Sequence, residues 1–174
     1  MNQIHSGVVL VARQAGCVGD GDALVTDRPG LALSVRTADC YPILLASLGP
    51  HRAVAAIHAG WRGTEARIVE RTVARLHSEY GVEPDQIFAA IGPGIGACCY
   101  QVGIEVARRF GMDGAGKLDL AAENLRQLTA AGVPRAQIEA SGQCTSCDAA
   151  RFHSYRRDGE VAGRMISYIR TSAP

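Results

Sequence analysis

Residues 36–64, RTADCYPILLASLGPHRAVAAIHAGWRGT, decide the fold of the first half of the chain. They contain two apolar runs, YPILLASL at 41–48 and AVAAI at 53–57, with a Gly-Pro turn between them. Apolar runs of this length that are bounded by turn residues predict two short strands. Cys40 precedes the first run and His58 follows the second, so both side chains are expected at strand ends.

Cys40 and His58 have the chemistry of metal ligands, and a third candidate, His5, lies upstream in the tetrapeptide QIHS. Thiolate and imidazole groups bind Zn²⁺ well, and three protein ligands leave one position open for water or substrate. Asp39, beside Cys40, is a carboxylate that could orient or tune a ligand. The spacing matches no CxxC…HxxxH pattern, so a buried free cysteine with two ordinary histidines remains the alternative.

Two arginines, Arg36 and Arg62, flank the strands that carry these ligands. Arg62 lies in the Gly-rich segment 60–64, just before a predicted helix, where backbone N–H groups and a guanidinium favour an oxyanion or phosphate. The alternative for Arg62 is a structural stack on Trp61. A second basic cluster, of Arg156, Arg157 and Arg164 around a turn, either completes the anion site or forms a solvated hairpin, and the hairpin is the preferred interpretation for Arg157.

The composition limits the class of protein. The 174 residues include 47% hydrophobic and 20% charged residues, which fits one soluble globular domain. The formal charge is +1 and aromatic residues make up 5%, so neither nucleic acid nor an anionic membrane is expected as a partner. No apolar run approaches the roughly 18 residues of a membrane span, and the N-terminus lacks the basic region of a signal peptide. We therefore expect a cytoplasmic location.

Periodicity and turn residues predict strands and helices in one α+β or mixed α/β domain. A helix is expected from a Thr64 cap to Tyr80, and a Gly-rich loop at 92–103. Strands are predicted at 7–12, 22–26, 31–35, 41–48, 53–57, 87–91, within 136–147 and at 164–169, and further helices at 104–110 and 119–131.

The six cysteines are expected to be thiols, because the chain shows no export signal and is long enough to fold without disulfides. Cys98 and Cys99 are adjacent, and the simplest interpretation is a pair of small buried thiols. Cys144-x-x-Cys147 is half of a zinc-ribbon or redox signature, for which a structural or incidental role is expected.

Four motifs, taken in order, resemble one family. They are TADCYPILLA (37–46), HAGWRGT (58–64), IGPGIGACCYQVG (91–103) and FHSYRRDG (152–159), followed by Arg164. Together they resemble the YfiH-like family (DUF152), also described as a laccase-domain polyphenol oxidase family, whose members are regarded as purine nucleoside phosphorylases that also deaminate adenosine. The motifs span almost the whole chain.

The resemblance implies a single α+β domain over residues 1–174, with mixed β-sheets sandwiched between helices in α/β/β/α layers. It also implies a Zn²⁺ site with His5, Cys40 and His58 as ligands, copper being less expected. The catalytic residues would be Cys40, His58 and Asp39, and Asp39 would act as a proton shuttle. The anion contacts would be Arg36, Arg62 and Arg164.

The activity implied is phosphorolysis of adenosine-, inosine- or guanosine-type nucleosides to free base and ribose 1-phosphate, together with deamination of adenosine. The partners are then small molecules, with a homo-oligomer possible. Family members carry a further N-terminal segment ahead of the QIHS-like motif, whereas here Met1 lies four residues before His5. If that segment supplies part of the pocket, activity would require a partner chain to supply what is absent, and fraying of the chain is expected around His5.

Three other functions stay open at this point. A copper-dependent polyphenol oxidase is disfavoured, because multicopper sites need paired histidines and the chain has five histidines in no such pair. A metal-dependent hydrolase of another small substrate, such as a peptidoglycan precursor, would use the same residues. A non-catalytic binding form is the third.

Overall fold

The computed structural model describes residues 1–171. In chain order its strands are β1 (Val9–Val11), β2 (Ala23–Thr26), β3 (Leu33–Thr37), β4 (Tyr41–Ser47), β5 (Val54–Ala59), β6 (Ile87–Ile91), β7 (Gln101–Val102), β8 (Gly116–Lys117), β9 (Ile138–Ala140) and β10 (Met165–Ile169). Six of them form a mixed sheet in the spatial order β1-β2-β5-β4-β6-β9, with β1–β2 and β6–β9 parallel and the other pairs antiparallel. The third strand pairs antiparallel with the last, so that β3 and β10 form a separate two-stranded sheet, and β7 and β8 form another.

The helices are α1 (Trp61–Glu65), α2 (Ile68–Tyr80), α3 (Ile104–Arg109), α4 (Leu120–Ala130) and α5 (Tyr155–Asp158). Helix α2 packs on β5 and β2 of the large sheet and against α4. Asp119 caps α4 as predicted, its Oδ1 accepting the Ala122 N–H at 2.9 Å. Among residues 1–171, no helix combines the length and the apolar character that crossing a bilayer requires.

Two hydrophobic cores lie on opposite faces of the large sheet. The core under the helices contains Ile43 and Ile57, whereas the core that includes β3 residues contains Leu44 and Ala56. Successive side chains of a strand point to opposite faces. His58 is therefore on the same face of β5 as Ala56, the face on which β3 and β10 pack. The predicted α+β class with mixed sheets and helices is confirmed.

The helix predicted from a Thr64 cap is wrong at its start. Helix α1 begins at Trp61 with Gly60 as its N-cap residue, and Thr64 is fully buried inside it, its hydroxyl donating to Asn124 Oδ1 at 3.3 Å. Arg67 has φ 58° and ψ 41°, a left-handed conformation that separates α1 from α2. The apolar periodicity of residues 66–80 is compatible with one helix, so it cannot reveal this break.

Candidate functional site

The neighbouring strands β4 and β5 place two of the predicted ligands side by side. Pro42 pairs with His58 and Tyr41 with Ala59, so the next residues, Cys40 and Gly60, also lie opposite each other at the end of the ladder. His5 joins them from the N-terminal segment, with its Nε2 3.9 Å from Cys40 Sγ. One ligand atom from each of the three side chains lies within 4.8 Å of the others.

Gly60 makes room for this group. A Cβ atom built at Gly60 would lie 2.8 Å from Cys40 Sγ and 3.2 Å from Cδ2 of His5. The backbone at Gly60, with φ −83° and ψ 175°, is open to any residue. Glycine is therefore needed at position 60 because a side chain would crowd Cys40 and His5, and not because the backbone conformation demands it.

Asp22, a residue that the sequence analysis did not single out, connects two ligands. Its Oδ1 accepts a hydrogen bond from Nδ1 of His58 at 2.8 Å and from the His5 N–H at 3.0 Å. Its Oδ2 accepts the N–H and the hydroxyl of Ser6 at 2.5 and 2.8 Å. The Asp22 carboxylate is fully buried and leaves Nε2 of His58 as the ligand nitrogen.

These contacts set the ionisation of the group. Burial opposes the ionised form of Asp22, but hydrogen bonds from His58 and Ser6 outweigh it and lower the pKa of Asp22 to about 2. Burial likewise opposes the Cys40 thiolate, yet His5 and His58 lower the pKa of Cys40 to about 7. At His58 burial opposes the charged imidazolium, but the hydrogen bonds with Asp22 and Cys40 outweigh it and raise the pKa of His58 to about 9. The arrangement favours a thiolate, which is the form that binds a metal.

The N-terminal segment is tied to the rest of the chain, contrary to the fraying that we expected. Asn2 bridges to Asp20, with its N–H donating to Gly19 O at 2.8 Å. The Gln3 side chain bonds the backbone of Arg36 in both directions, at 2.8 Å each. His5 itself has a left-handed backbone, with φ 58°, which these contacts and Asp22 hold in place.

The three ligands line a cleft of about 520 Å³, within the range of small-molecule sites. Arg36 and Arg164, two of the predicted anion contacts, line the same cleft, and so does Arg156, which belongs to the same basic cluster as Arg164. Among residues 1–171 none of these three arginines forms an ion pair with an acidic side chain. The apolar part of the lining includes Ile95 and the ring of Tyr100.

Arg62 lies outside this lining. Its guanidinium stacks over the ring of Trp61 at 4.3 Å from the centroid, which is the structural alternative that we had kept open. A part for Arg62 in anion binding stays a prediction.

Asp39 lines the cleft, but hydrogen bonds occupy both oxygens of its side chain. Oδ1 accepts from the Thr145 hydroxyl at 2.7 Å and Oδ2 from the Arg156 N–H at 2.6 Å. The residue is buried and left-handed, with φ 84°. These contacts favour a role in holding the cleft wall, and its predicted role as a proton shuttle stays a prediction. The carboxylate that orients a ligand histidine is Asp22 and not the adjacent Asp39.

The donor set fits a zinc ion. Zn–N and Zn–S bonds of about 2.0–2.1 and 2.3 Å in a tetrahedral site put nitrogen and sulfur about 3.6 Å apart, close to the 3.9 Å between His5 and Cys40. Nδ1 of His58 donates a hydrogen bond to the Asp22 carboxylate, as the second nitrogen of zinc-bound histidines commonly does. One thiolate and two imidazoles leave a fourth position facing the cleft.

Comparisons with known proteins point to one family. A family model described as multi-copper polyphenol oxidoreductase laccase matches residues 1–172. A purine nucleoside phosphorylase from Deinococcus radiodurans is 44% identical over 178 residues, which is 97% of this chain and 68% of that protein. The adenosine deaminase RL5, from an unknown prokaryotic organism, is 40% identical over 162 residues, which is 85% of this chain and 61% of that protein.

The fold has close counterparts among solved structures. The crystal structure of the protein YfiH from Bacillus licheniformis matches with a TM-score of 0.92 at 32% identity, covering 98% of this chain and 72% of that one. The chain therefore spans about three fifths to three quarters of the proteins that it resembles.

Proposed function

The chain belongs to the YfiH-like family, whose model is described as multi-copper polyphenol oxidoreductase laccase, and from this membership we propose that it acts on purine nucleosides. The proposed reactions are phosphorolysis to free base and ribose 1-phosphate, and deamination of adenosine. Relatives named purine nucleoside phosphorylase and adenosine deaminase support both.

One observation carries the proposal: a three-ligand metal group and three arginines without acidic partners among residues 1–171 face the same cleft. A phosphate needs cationic and N–H donors, and a purine needs an apolar wall and a group that polarises it. The cleft combines these in about 520 Å³.

His5, Cys40 and His58 would hold the zinc ion. When bound, zinc supplies Lewis acidity, which lowers the pKa of water and polarises nitrogen or oxygen atoms of a substrate. Asp22 keeps the imidazole of His58 in one orientation and one tautomer. Cys40 acts as a ligand in this scheme and not as a nucleophile.

In phosphorolysis a phosphate oxygen bonds to C1′ while the bond between C1′ and the base breaks, and the base leaves with the electron pair and takes up a proton. Arg36 and Arg164 would bind the phosphate and hold it against the sugar. The Tyr100 ring, over which the Arg156 guanidinium lies at 5.2 Å, offers a flat surface for the purine. In deamination, water replaces the amino group at C6 and ammonia leaves.

The family description raises a second candidate, copper-dependent oxidation of phenols. Multicopper centres need many histidines, whereas this site offers two. The donor set therefore favours zinc over copper. Metal analysis, with an assay of phenol oxidation in the copper-loaded protein, distinguishes the two.

The test is product analysis of zinc-loaded protein incubated with adenosine, with and without phosphate. We expect adenine only when phosphate is present, and inosine in both cases. His58→Ala and Cys40→Ala should abolish turnover, whereas His51→Ala, a histidine on an exposed turn outside the cleft, should not. Zinc-loaded wild-type protein that turns over neither adenosine nor inosine would contradict the proposal.

A further inference from the structure

Four cysteines that are far apart in the sequence meet in the structure. Cys98 and Cys99 lie in a turn within the Gly-rich loop at 92–103, and Cys144 and Cys147 lie in the segment after β9. Cys147 Sγ is 3.6 Å from Cys98 Sγ and 3.4 Å from Cys99 Sγ, and all four sulfurs lie within 4.8 Å of one another. The expected buried pair at 98–99 is wrong for Cys98, whose side chain is exposed.

The backbone holds the two segments together independently of the sulfurs. The Thr145 N–H donates to Gly94 O at 3.0 Å, and the Gly94 N–H donates to Gln143 O at 3.4 Å. A further hydrogen bond, from the Gly96 N–H to Cys144 Sγ at 3.2 Å, reaches one of the thiols. A Cβ atom at Gly96 would lie 3.3 Å from both Cys98 Sγ and Cys144 Cβ. The chain therefore brings the thiols into contact and keeps the space next to them free of side chains.

We propose that these four cysteines form a second metal site, which binds one zinc ion through four thiolates and has a structural role. A tetrahedral ion with Zn–S bonds of about 2.3 Å separates its sulfurs by about 3.8 Å, which matches the observed contacts. A group in which every sulfur lies within 4.8 Å of the others fits one ion and is too compact for a cluster of several irons.

Four protein ligands close the site, so that no position remains for a substrate. The ion would fix the segment that holds the cleft wall, because the Thr145 hydroxyl binds Asp39 and Arg157 Nη1 donates to Thr145 O at 3.0 Å. The second ion would act on the candidate active site only through this wall. The proposal does not depend on the reaction that the cleft catalyses.

The test is a count of metal ions per chain. The full chain is reduced, loaded with Zn²⁺, freed of excess metal by gel filtration and measured by mass spectrometry of the metal. We expect two zinc ions per chain in the wild type and one in the double variant Cys144→Ser/Cys147→Ser. One ion should also remain in Cys40→Ser/His58→Ala, which removes the other site. Cys17→Ser, a matched change of an exposed cysteine outside both groups, should keep two.

Cobalt substitution tests the ligands without the cysteine double variant, in case that variant does not fold. In the Cys40→Ser/His58→Ala background one equivalent of Co²⁺ should give the intense visible absorption of a tetrahedral four-thiolate site. The proposal is wrong if reduced wild-type protein holds a single zinc ion, if the cysteine double variant keeps two, or if the cobalt spectrum lacks thiolate bands. Acid-labile sulfide in the isolated protein would also overturn it, because it would identify an iron–sulfur cluster.

Discussion

At the scale of single residues, Asp22 connects two of the candidate metal ligands. One buried carboxylate holds the His58 imidazole and the backbone of His5 and Ser6, so the geometry of two candidate metal ligands depends on it. Its ligand partners lie 17 and 36 residues away in the sequence. No motif or local spacing connects Asp22 to these two residues. Sequence analysis therefore chose Asp39, which is the neighbour of Cys40 in the sequence.

Asp22→Asn should weaken zinc binding at the cleft by about 10- to 100-fold, because the amide cannot accept both sets of hydrogen bonds and no longer favours one tautomer of His58. The affinity is measured by competition with a chromophoric chelator. Asp20→Asn is the matched control, since the Asp20 side chain makes an exposed contact with the Asn2 side chain at 3.2 Å. Equal affinities in Asp22→Asn and the wild type would contradict this role.

Gly60→Ala should also weaken zinc binding, by about tenfold or more, because its methyl group would occupy space between Cys40 and His5. Gly103→Ala is a close control: Gly103 is also the N-cap residue of a helix, with φ −73° and ψ 168°, and a Cβ there meets no atom within 4 Å. The same chelator competition applies. An equal loss of zinc affinity in both variants would contradict this prediction. It would show that replacing a glycine at a helix N-cap, and not the crowding of Cys40 and His5, causes the loss.

At the scale of elements, the backbone at the junction between α1 and α2 has an unfavourable conformation at one residue, Arg67. Arg67 is left-handed and ends the short helix that carries Trp61. A non-glycine residue in this conformation costs roughly 1–2 kcal/mol, part of which glycine avoids. The ion pair between Arg67 and Glu70 offsets little of this cost, because the Arg67 side chain is exposed.

Arg67→Gly should therefore raise the free energy of unfolding by up to about 1 kcal/mol. Arg71→Gly, which removes the same charge from an exposed interior position of α2, should lower it by about 1 kcal/mol. Urea denaturation of both variants measures the difference. Changes of the same sign would show that the left-handed backbone of Arg67 is not strained.

Strands and helices were predictable where local patterns determine them. The strand at 87–91 and the capped helix after Asp119 follow from apolar runs, turn residues and a capping side chain, and both are present. The break at Arg67 and the pairing of β3 with β10 depend on distant packing. A sequence read in local windows contains no signal for either.

At the scale of the whole molecule, the cleft combines residues from separate sheets. Cys40 and His58 lie at one end of β4 and β5, the two central strands of the large sheet, whereas Arg36 lies on β3 and Arg164 just before β10. The spacing of the candidate ligands matched no known pattern, and the family resemblance pointed to them; the basic cluster of Arg156 and Arg164 was visible in the sequence as a candidate anion site. The sequence also did not reveal that Cys98 and Cys99 lie next to Cys144 and Cys147. About 45 residues separate the two pairs, and a single CxxC motif does not show which other cysteines are close to it.

Arg36→Ala and Arg164→Ala should each weaken phosphate binding by about tenfold or more, since each removes a charge-assisted hydrogen-bond donor. Arg62→Ala should leave it unchanged, because its guanidinium stacks on Trp61 outside the cleft. Binding is measured as the rise in melting temperature with added phosphate. A loss in Arg62→Ala equal to that in Arg36→Ala would restore Arg62 as an anion contact.

The pairing of β3 with β10 also determines when the cleft can form during protein synthesis. Thr37 pairs with Met165, so closing this contact joins positions 128 residues apart, at an entropic cost of about 4 kcal/mol. While the chain is still on the ribosome, β3 lacks the strand with which it pairs, although Leu33 and Val35 of its inner face can already pack on the large sheet. The arginine next to β10 then arrives last, and an unfinished chain has the metal ligands without the full set of anion contacts.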